Sequence, residues 1–292
     1  MSPLLERARA ELDTLGREIG LVVVDVLQPT DKSLLVAGTI GDQPIVAKLL
    51  INGDAFWQDK LGHEITVYRV FAEHPPPIRV PRLIHADDAR LLVLERLDGA
   101  PLDADRYPNR VLPDAAVDAA LEAVTALNCW RPPQGAFAPV FDYRKRIDRY
   151  LAHGILTEVD TKALHRLLDS WSGDWELDHG DPLPSNLLLA GDGYAALLDW
   201  EFTGLYLPGF DLALLHTLLT ATPHTRNRIN RIVTEQDLAV PFTINLAMVL
   251  TREIRTHREL PNGPLRDQRL PLVDTLWTHA RDRLHTLAAV RR

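Results

Sequence analysis

The string His179-Gly180-Asp181-Pro182-Leu183-Pro184-Ser185-Asn186, followed by Asp199-Trp200-Glu201, decides how this chain is read. Between the two runs lie two short apolar arms, residues 186–190 and 194–200, joined by Gly191, Asp192 and Gly193. Turn residues between short apolar arms predict a tight hairpin. A hairpin brings its ends together, so Asn186 at the start of one arm and Asp199 near the end of the other are expected to face one site. Asp181 lies in an irregular loop ahead of Asn186, free to accept a proton. A single Asp more often caps a turn or sits in water. Three oxygen-bearing side chains at this spacing point instead to a hard cation such as Mg2+ with a general base beside it. That set suits phosphoryl transfer, which asks for positioning and charge neutralisation more than for covalent help.

Working outward, residues 21–27, 33–38 and 44–50 read as strands, separated by Pro29, Thr30 and Asp31 and by Gly41 and Asp42. Residues 60–74 show helical periodicity, with Val67, Tyr68 and Phe71 on one face. Pro75, Pro76 and Pro77 end that helix, because proline cannot extend the hydrogen-bond ladder. Residues 79–86 and 91–97 complete a small sheet, and residues 1–15 read as an amphipathic helix. After Leu97, Asp98-Gly99-Ala100-Pro101 reads as a linker, and residues 114–130, 143–153 and 160–172 are helical. The expected fold class is α+β, with two unequal lobes at residues 1–97 and 98–292 and a cleft between them.

Composition narrows the function classes. The 292 residues carry a net charge of -8, which argues against a nucleic-acid partner, since such binding draws its affinity from a basic surface. No stretch approaches the roughly 20 apolar residues of a membrane span. Cys129 is the sole cysteine, so no intrachain disulfide forms; it is read as a buried, inert thiol, and the chain as cytoplasmic. Trp130, Trp171, Trp175 and Trp200 are read as core residues, while Phe56 and Trp57 receive no role.

In the first part of the chain Lys48 stands among Ile45, Ala47 and Leu49, where a solvated lysine is out of place. Glu64 precedes Val67, Tyr68 and Phe71 by three, four and seven residues and so shares their inward helix face.

The motif H-G-D-x4-N at 179–186, D-W-E at 199–201, and the continuation through Gly204, Pro208 and Asp211-Leu212-Ala213 resemble the aminoglycoside phosphotransferases and related small-molecule kinases of the protein-kinase-like fold. The resemblance implies a bilobal fold, with nucleotide bound by the strand-rich lobe and acceptor by the helical lobe. It implies that Asp181 is the catalytic base, that Asn186 and Asp199 hold Mg2+, that Asp211 braces the catalytic loop and that His179 anchors it. It further implies that Lys48, held by Glu64, pairs the phosphates of ATP, and that backbone groups around Glu95 and Leu97 bond the adenine. The turn at residues 28–33 lacks the glycines of a phosphate-covering loop; Thr30 and Ser33 are left to meet the phosphates, and GTP stays open as a donor beside ATP.

Two features separate this pattern from a protein kinase. Gly180 stands where an arginine would receive an activation-loop phosphate, and Asp211 follows Asp199 too closely for a peptide platform. The expected acceptor is therefore a small hydroxylated molecule, with no obligatory protein partner. An aminoglycoside would want an acidic pocket, for which Asp98, Asp103, Asp105, Asp142, Asp148 and Glu201 are candidates. The tail from Arg252 onward, nine arginines against five acids, gives a strongly cationic substrate no support. Other antibiotics, sugars and amino alcohols stay open, as does antibiotic resistance as the biological role. The alternative from another class is a catalytically silent nucleotide-binding protein on the same fold.

Overall fold

Alternation along one strand sets the architecture. In β3 (Gln43–Leu50), Ile45, Ala47 and Leu49 are buried on one face, while Lys48 and Leu50 point to the other. The computed structural model describes residues 3–87 and 90–290; Met1 and Ser2 of the expected first helix, and Arg291 and Arg292 of the tail, lie outside them. β3 is the centre of a five-stranded antiparallel sheet formed with β1 (Leu21–Pro29), β2 (Ser33–Ile40), β4 (Leu83–Ala86) and β5 (Leu91–Glu95), in the order β1-β2-β3-β5-β4.

Helix α1 (Pro3–Glu18) covers the face carrying Ile45, Ala47 and Leu49, packing Ala8 and Leu12 against it. Helix α2 (Ala55–Glu73) covers the other. It starts earlier than periodicity suggests because Asp54 caps it, its carboxylate accepting the Phe56 N–H at 2.8 Å. Its buried face, Leu61, Glu64, Ile65, Val67, Tyr68 and Phe71, joins the core of the helical part.

The rest is mainly helical: α3 (Asp114–Cys129), α4 (Tyr143–Ala152), α5 (Glu158–Ser170), α6 (Phe210–Leu218), α7 (Thr225–Glu235), α8 (Ala239–Glu259) and α9 (Pro264–Val290). Residues 240–251 of α8 are all buried, as an element at the centre of a helical core must be. Five short strands are embedded here. β6 (Ala100–Pro101), β8 (Leu187–Leu189) and β9 (Ala195–Leu197) form one sheet, and β7 (Glu176–Asp178) pairs with β10 (Gly204–Tyr206). The expected hairpin is the β8–β9 pair, with Leu187 opposite Leu197. β6, β7 and β10, two or three residues each, carry too little pattern to be read in advance. The α+β class and the strand-rich and helical parts are as expected.

Two expectations need correction. Cys129 is exposed, because it closes the last turn of α3 and points off the packed face. Trp175 is 37% exposed, just before β7, whereas Trp200 is wholly buried and packs edge-on against Phe71.

Candidate active site

The hairpin and the loop before it meet the sheet at Lys48. Its ammonium lies 2.7 Å from Glu64 Oε2, 2.7 Å from Asp199 Oδ1 and 3.5 Å from Glu201 Oε2. Glu64 arrives on the buried face of α2, Lys48 on the inward face of β3, and Asp199 just past β9. Asp199 holds φ at 66°, a left-handed conformation uncommon for aspartate and characteristic of functional positions.

The loop carrying Asp181 leaves β7 at His179, which is fully buried. His179 Nε2 donates to the Leu198 carbonyl at 2.9 Å and Nδ1 accepts the Asp181 N–H at 3.3 Å, an arrangement that requires the neutral ring. Burial lowers its pKa to about 4, in agreement. Asp211, in the first turn of α6, accepts the backbone N–H groups of His179 and Gly180 at 2.7 and 2.8 Å. Gly180 has φ 82°, and a Cβ there would overlap the Phe202 carbonyl and the Tyr206 hydroxyl. The position where a protein kinase has arginine is sterically reserved for glycine in this chain.

Asp181 and Asn186 are joined through the Asn186 amide nitrogen, which donates to the Asp181 carbonyl at 3.1 Å. Among the described residues the Asn186 carboxamide oxygen has only a long 3.5 Å contact from the Ser185 hydroxyl. Burial raises the pKa of the Asp181 carboxyl above its usual range, against the opposing pull of Arg252 and Arg106.

Three of the five lysines converge here. Lys32, on the turn between β1 and β2, reaches Glu201 Oε1 at 2.9 Å, and Lys60 of α2 donates to the Glu201 carbonyl at 3.0 Å while lying 4.1 Å from the Phe202 ring centroid. Burial alone would lower the pKa of Lys48, but Glu64, Asp199 and Glu201 outweigh it and hold the ammonium charged. Burial raises the Glu64 carboxyl to about 7 despite Lys48. Carboxylate oxygens of Glu64, Asp199 and Glu201 lie within 4.8 Å of one another, gathered around the Lys48 ammonium, while Asp199 and the Asn186 carboxamide offer oxygen donors of the kind a hard divalent cation takes. Sequence reasoning assigned Lys32, Lys60 and Glu201 no role in this cluster; the departure from glycine in the 28–33 turn was the one signal available for Lys32.

The remaining predicted positions stand apart from this cluster. The Ser33 N–H is bonded to Thr30 Oγ1 at 2.9 Å and its carbonyl accepts the Thr30 N–H at 3.0 Å, so Ser33 is occupied in shaping the turn that carries Lys32. The Glu95 N–H donates to the Arg82 carbonyl at 2.9 Å and is spent within the sheet, whereas the Leu97 N–H has no partner among the described residues.

Four of the six acids expected to form an acidic patch are engaged elsewhere. Asp103 pairs with Arg110, Asp142 caps α4, Asp148 pairs with His165, and Glu201 is buried against lysines. Beside Asp181 stand arginines instead. Arg252 Nη2 lies 3.7 Å from Asp181 Oδ1, and Arg106 binds Glu253 at 2.6 Å.

A small antiparallel sheet with a helix on each face, set on a helical body whose loop and hairpin converge on its central lysine, is the kinase-like arrangement. The sequence profile of the phosphotransferase enzyme family, APH, matches residues 51–238, and the chain belongs to that family, whose members phosphorylate hydroxyl groups of small molecules. It is a phosphotransferase. Among solved structures it is similar to the ADP-bound aminoglycoside phosphotransferase APH(2'')-Ib, at 14% identity and TM-score 0.62, over 94% of this chain and 99% of that one. It is similar to the macrolide 2'-phosphotransferase MphH from Brachybacterium faecium at 16% identity and TM-score 0.62, over 90% and 97% of the two chains. It is also similar to the choline kinase LicA from Streptococcus pneumoniae at 13% identity and TM-score 0.59, over 96% and 99%. No curated protein sequence gives a significant match.

Proposed function

We propose that the chain transfers the γ-phosphate of ATP to a hydroxyl of a small molecule. In this reading residues 1–97 hold the nucleotide, residues 98–292 hold the acceptor, and GTP is an alternative donor. The observation that carries it is Lys48, poised 2.7 Å from both Glu64 and Asp199 beneath a braced loop presenting Asp181.

Lys48 pairs with the phosphates of the bound nucleotide, held in place by Glu64, while Lys32 and Lys60 add positive charge around the same chain. Asn186 and Asp199 would hold Mg2+, with Glu201 beside them; bound there, it neutralises charge on the phosphate oxygens. Asp181 orients the acceptor hydroxyl and takes its proton as the oxygen attacks, a contribution of about 10² to 10⁴ in rate. Its raised pKa makes it a better proton acceptor than an ordinary aspartate. Asp211 keeps the loop in register, and the chain passes from Asp199 through β10 directly into α6. That short path holds no segment for a phosphorylation switch, which supports constitutive activity on a small acceptor.

The silent-protein alternative would lack one of these groups, and all are present. Nucleotide triphosphate as co-substrate favours a cytoplasmic setting. The experiment is ADP release from Mg-ATP with a panel of antibiotics, sugars and amino alcohols, with Asp181→Ala as control. Acceptor-dependent ADP release that disappears in the variant supports the proposal. Nucleotide binding with no turnover on any hydroxyl compound, or turnover undiminished in Asp181→Ala, overturns it.

A further inference from the structure

The surface beside Asp181 has the wrong sign for a cation. Arg252 on α8 approaches Asp181 and Glu253 at 3.7 and 3.5 Å, yet its Nε and Nη2 are buried and make no hydrogen bond among the described residues. Arg146 on α4 is in the same condition. Its guanidinium carbon lies 4.1 Å from the Phe141 ring centroid and 5.9 Å from that of Tyr150, and its Nε is buried without a hydrogen-bond partner among the described residues. Burial lowers the Arg146 pKa, Tyr150 opposes this by charge and hydrogen bonding, and Arg252 and Arg149 lower it further; Phe141, under Arg146, lies 5.6 Å from the Tyr206 ring, centroid to centroid. Both Arg146 and Arg252 act electrostatically on Tyr206, whose hydroxyl fills the space a side chain on Gly180 would need, directly against the catalytic loop.

The neighbouring groups sharpen the contrast. Arg106 is satisfied by Glu253, which also accepts the Tyr107 hydroxyl at 2.7 Å and whose carboxyl is held down to about 2: burial opposes that, and the arginines prevail. Arg106 and Arg252 thus share Asp181 and Glu253, and the Arg146 Nε and the Arg252 Nε and Nη2 are left as unspent N–H donors. Guanidinium is a planar donor fork shaped for carboxylate or phosphate oxygens, and a buried donor without an acceptor is unfavourable until one arrives.

We propose that the acceptor is an anion, an alcohol bearing a carboxylate or phosphate group that Arg252 and Arg146 bind while its hydroxyl meets Asp181. This rests on the phosphotransferase reading of the same site. The acceptor oxygen forms a bond to the γ-phosphorus, the bond from that phosphorus to the β–γ bridging oxygen breaks, ADP leaves, and the hydroxyl proton passes to Asp181. Engagement of the two arginines by the substrate frees Asp181 from its contact with Arg252 as the hydroxyl arrives. A polycationic amino sugar meets repulsion at this surface.

The test is isothermal titration of the full chain, loaded with the non-hydrolysable Mg-AMP-PNP so that the nucleotide site is filled. The probes are glycerol, glycerate and glycerol 3-phosphate; glucose, gluconate and glucose 6-phosphate; and kanamycin as a cation. The expected result is that an anionic probe binds at least about tenfold tighter than its neutral counterpart and that kanamycin does not compete. The carboxylate and phosphate arms separate the two sources of charge. Arg146→Gln and Arg252→Gln should each abolish the preference, with Arg146→Lys retaining part of it and thermal melts reporting whether each variant folds. Equal or tighter binding of the neutral or cationic probes, no binding of any anionic probe, or an unchanged preference in folded Arg146→Gln overturns the proposal. Arginine-dependent anion binding without ADP release from any acceptor would sink the phosphotransfer reading and leave this one standing. Turnover of neutral or cationic alcohols at an unchanged KM in Arg146→Gln would do the reverse.

Discussion

Lys32 and Glu201 meet at 2.9 Å although 169 positions separate them, fastening the β1–β2 turn to the residue two places beyond Asp199. Lys32 also lies 4.7 Å from the Trp57 ring centroid, so its ammonium is held from two sides. In the proposed function, a cation at this place would supply by charge what a glycine-rich turn supplies by backbone N–H groups. Lys32→Ala should raise the KM for ATP about tenfold with a smaller change in kcat, read by varying ATP at saturating acceptor. An unaltered KM would remove Lys32 from the nucleotide site.

Lys48 has no substitute. Its removal leaves Glu64, Asp199 and Glu201 facing one another around an empty position. Lys48→Met is expected to lower kcat/KM by about 10²- to 10³-fold, the usual loss when a charge-stabilising group is deleted. Its stability cost should increase with pH above 7, because Glu64, already raised to about 7 beside Lys48, is then forced to ionise without a counter-ion. Urea denaturation at pH 6 and pH 8.5 compares the two; a pH-independent cost would contradict the role of Lys48 as counter-ion.

Gly180 tests the packing of the loop. Gly180→Ala adds a methyl group against the Phe202 carbonyl and the Tyr206 hydroxyl at a left-handed backbone position. A loss of about 2 kcal/mol or more is expected, together with a fall in kcat, measured by melting and steady-state kinetics. A variant as stable and active as the parent would mean that the loop relaxes freely.

The buried acids behind the loop predict a pH dependence. Burial raises Glu176 and Asp211 to about 7 and Asp178 well above its ordinary value, Asp178 pushed further by the charges of Asp211 and Glu176. Folded pKa values above the unfolded ones mean that the neutral acids contribute stability fully present below about pH 4 and lost as pH rises towards 7. Asp178 Oδ1 accepts from the Asp211 N–H and Asn128, while Oδ2 has no partner, so an amide can take the place of the protonated acid. Asp178→Asn should cost less than about 1 kcal/mol at pH 7 and flatten the fall in melting temperature between pH 5 and 7.5. A steeper fall in the variant would refute this account.

The residues that reasoning from sequence brought together are those whose relations are local or periodic. Asp181, Asn186 and Asp199 lie within one loop and hairpin, and Lys48 and Glu64 betray themselves by charge on apolar faces. Lys32, Lys60, Arg106, Arg146 and Arg252 have polar neighbours in the sequence, where a charge reads as an ordinary solvated side chain, and Glu201 lies between Trp200 and Phe202 with no spacing that ties it to Lys32. Only the tertiary fold shows which of them face inward. Cys129 was misread for a related reason: residue type alone assigns it to the interior, and its place at the end of α3 decides otherwise.

The arginines proposed to meet the acceptor come from α4 and α8, while Asp181, Asn186 and Asp199 lie between β7 and β10, and Lys48 and Glu64 come from β3 and α2. If the proposed roles hold, recognition and reaction are written in separate stretches of the gene. Substitutions in the helices can redirect the enzyme to a new acceptor while the machinery of transfer passes unaltered from ancestor to descendant.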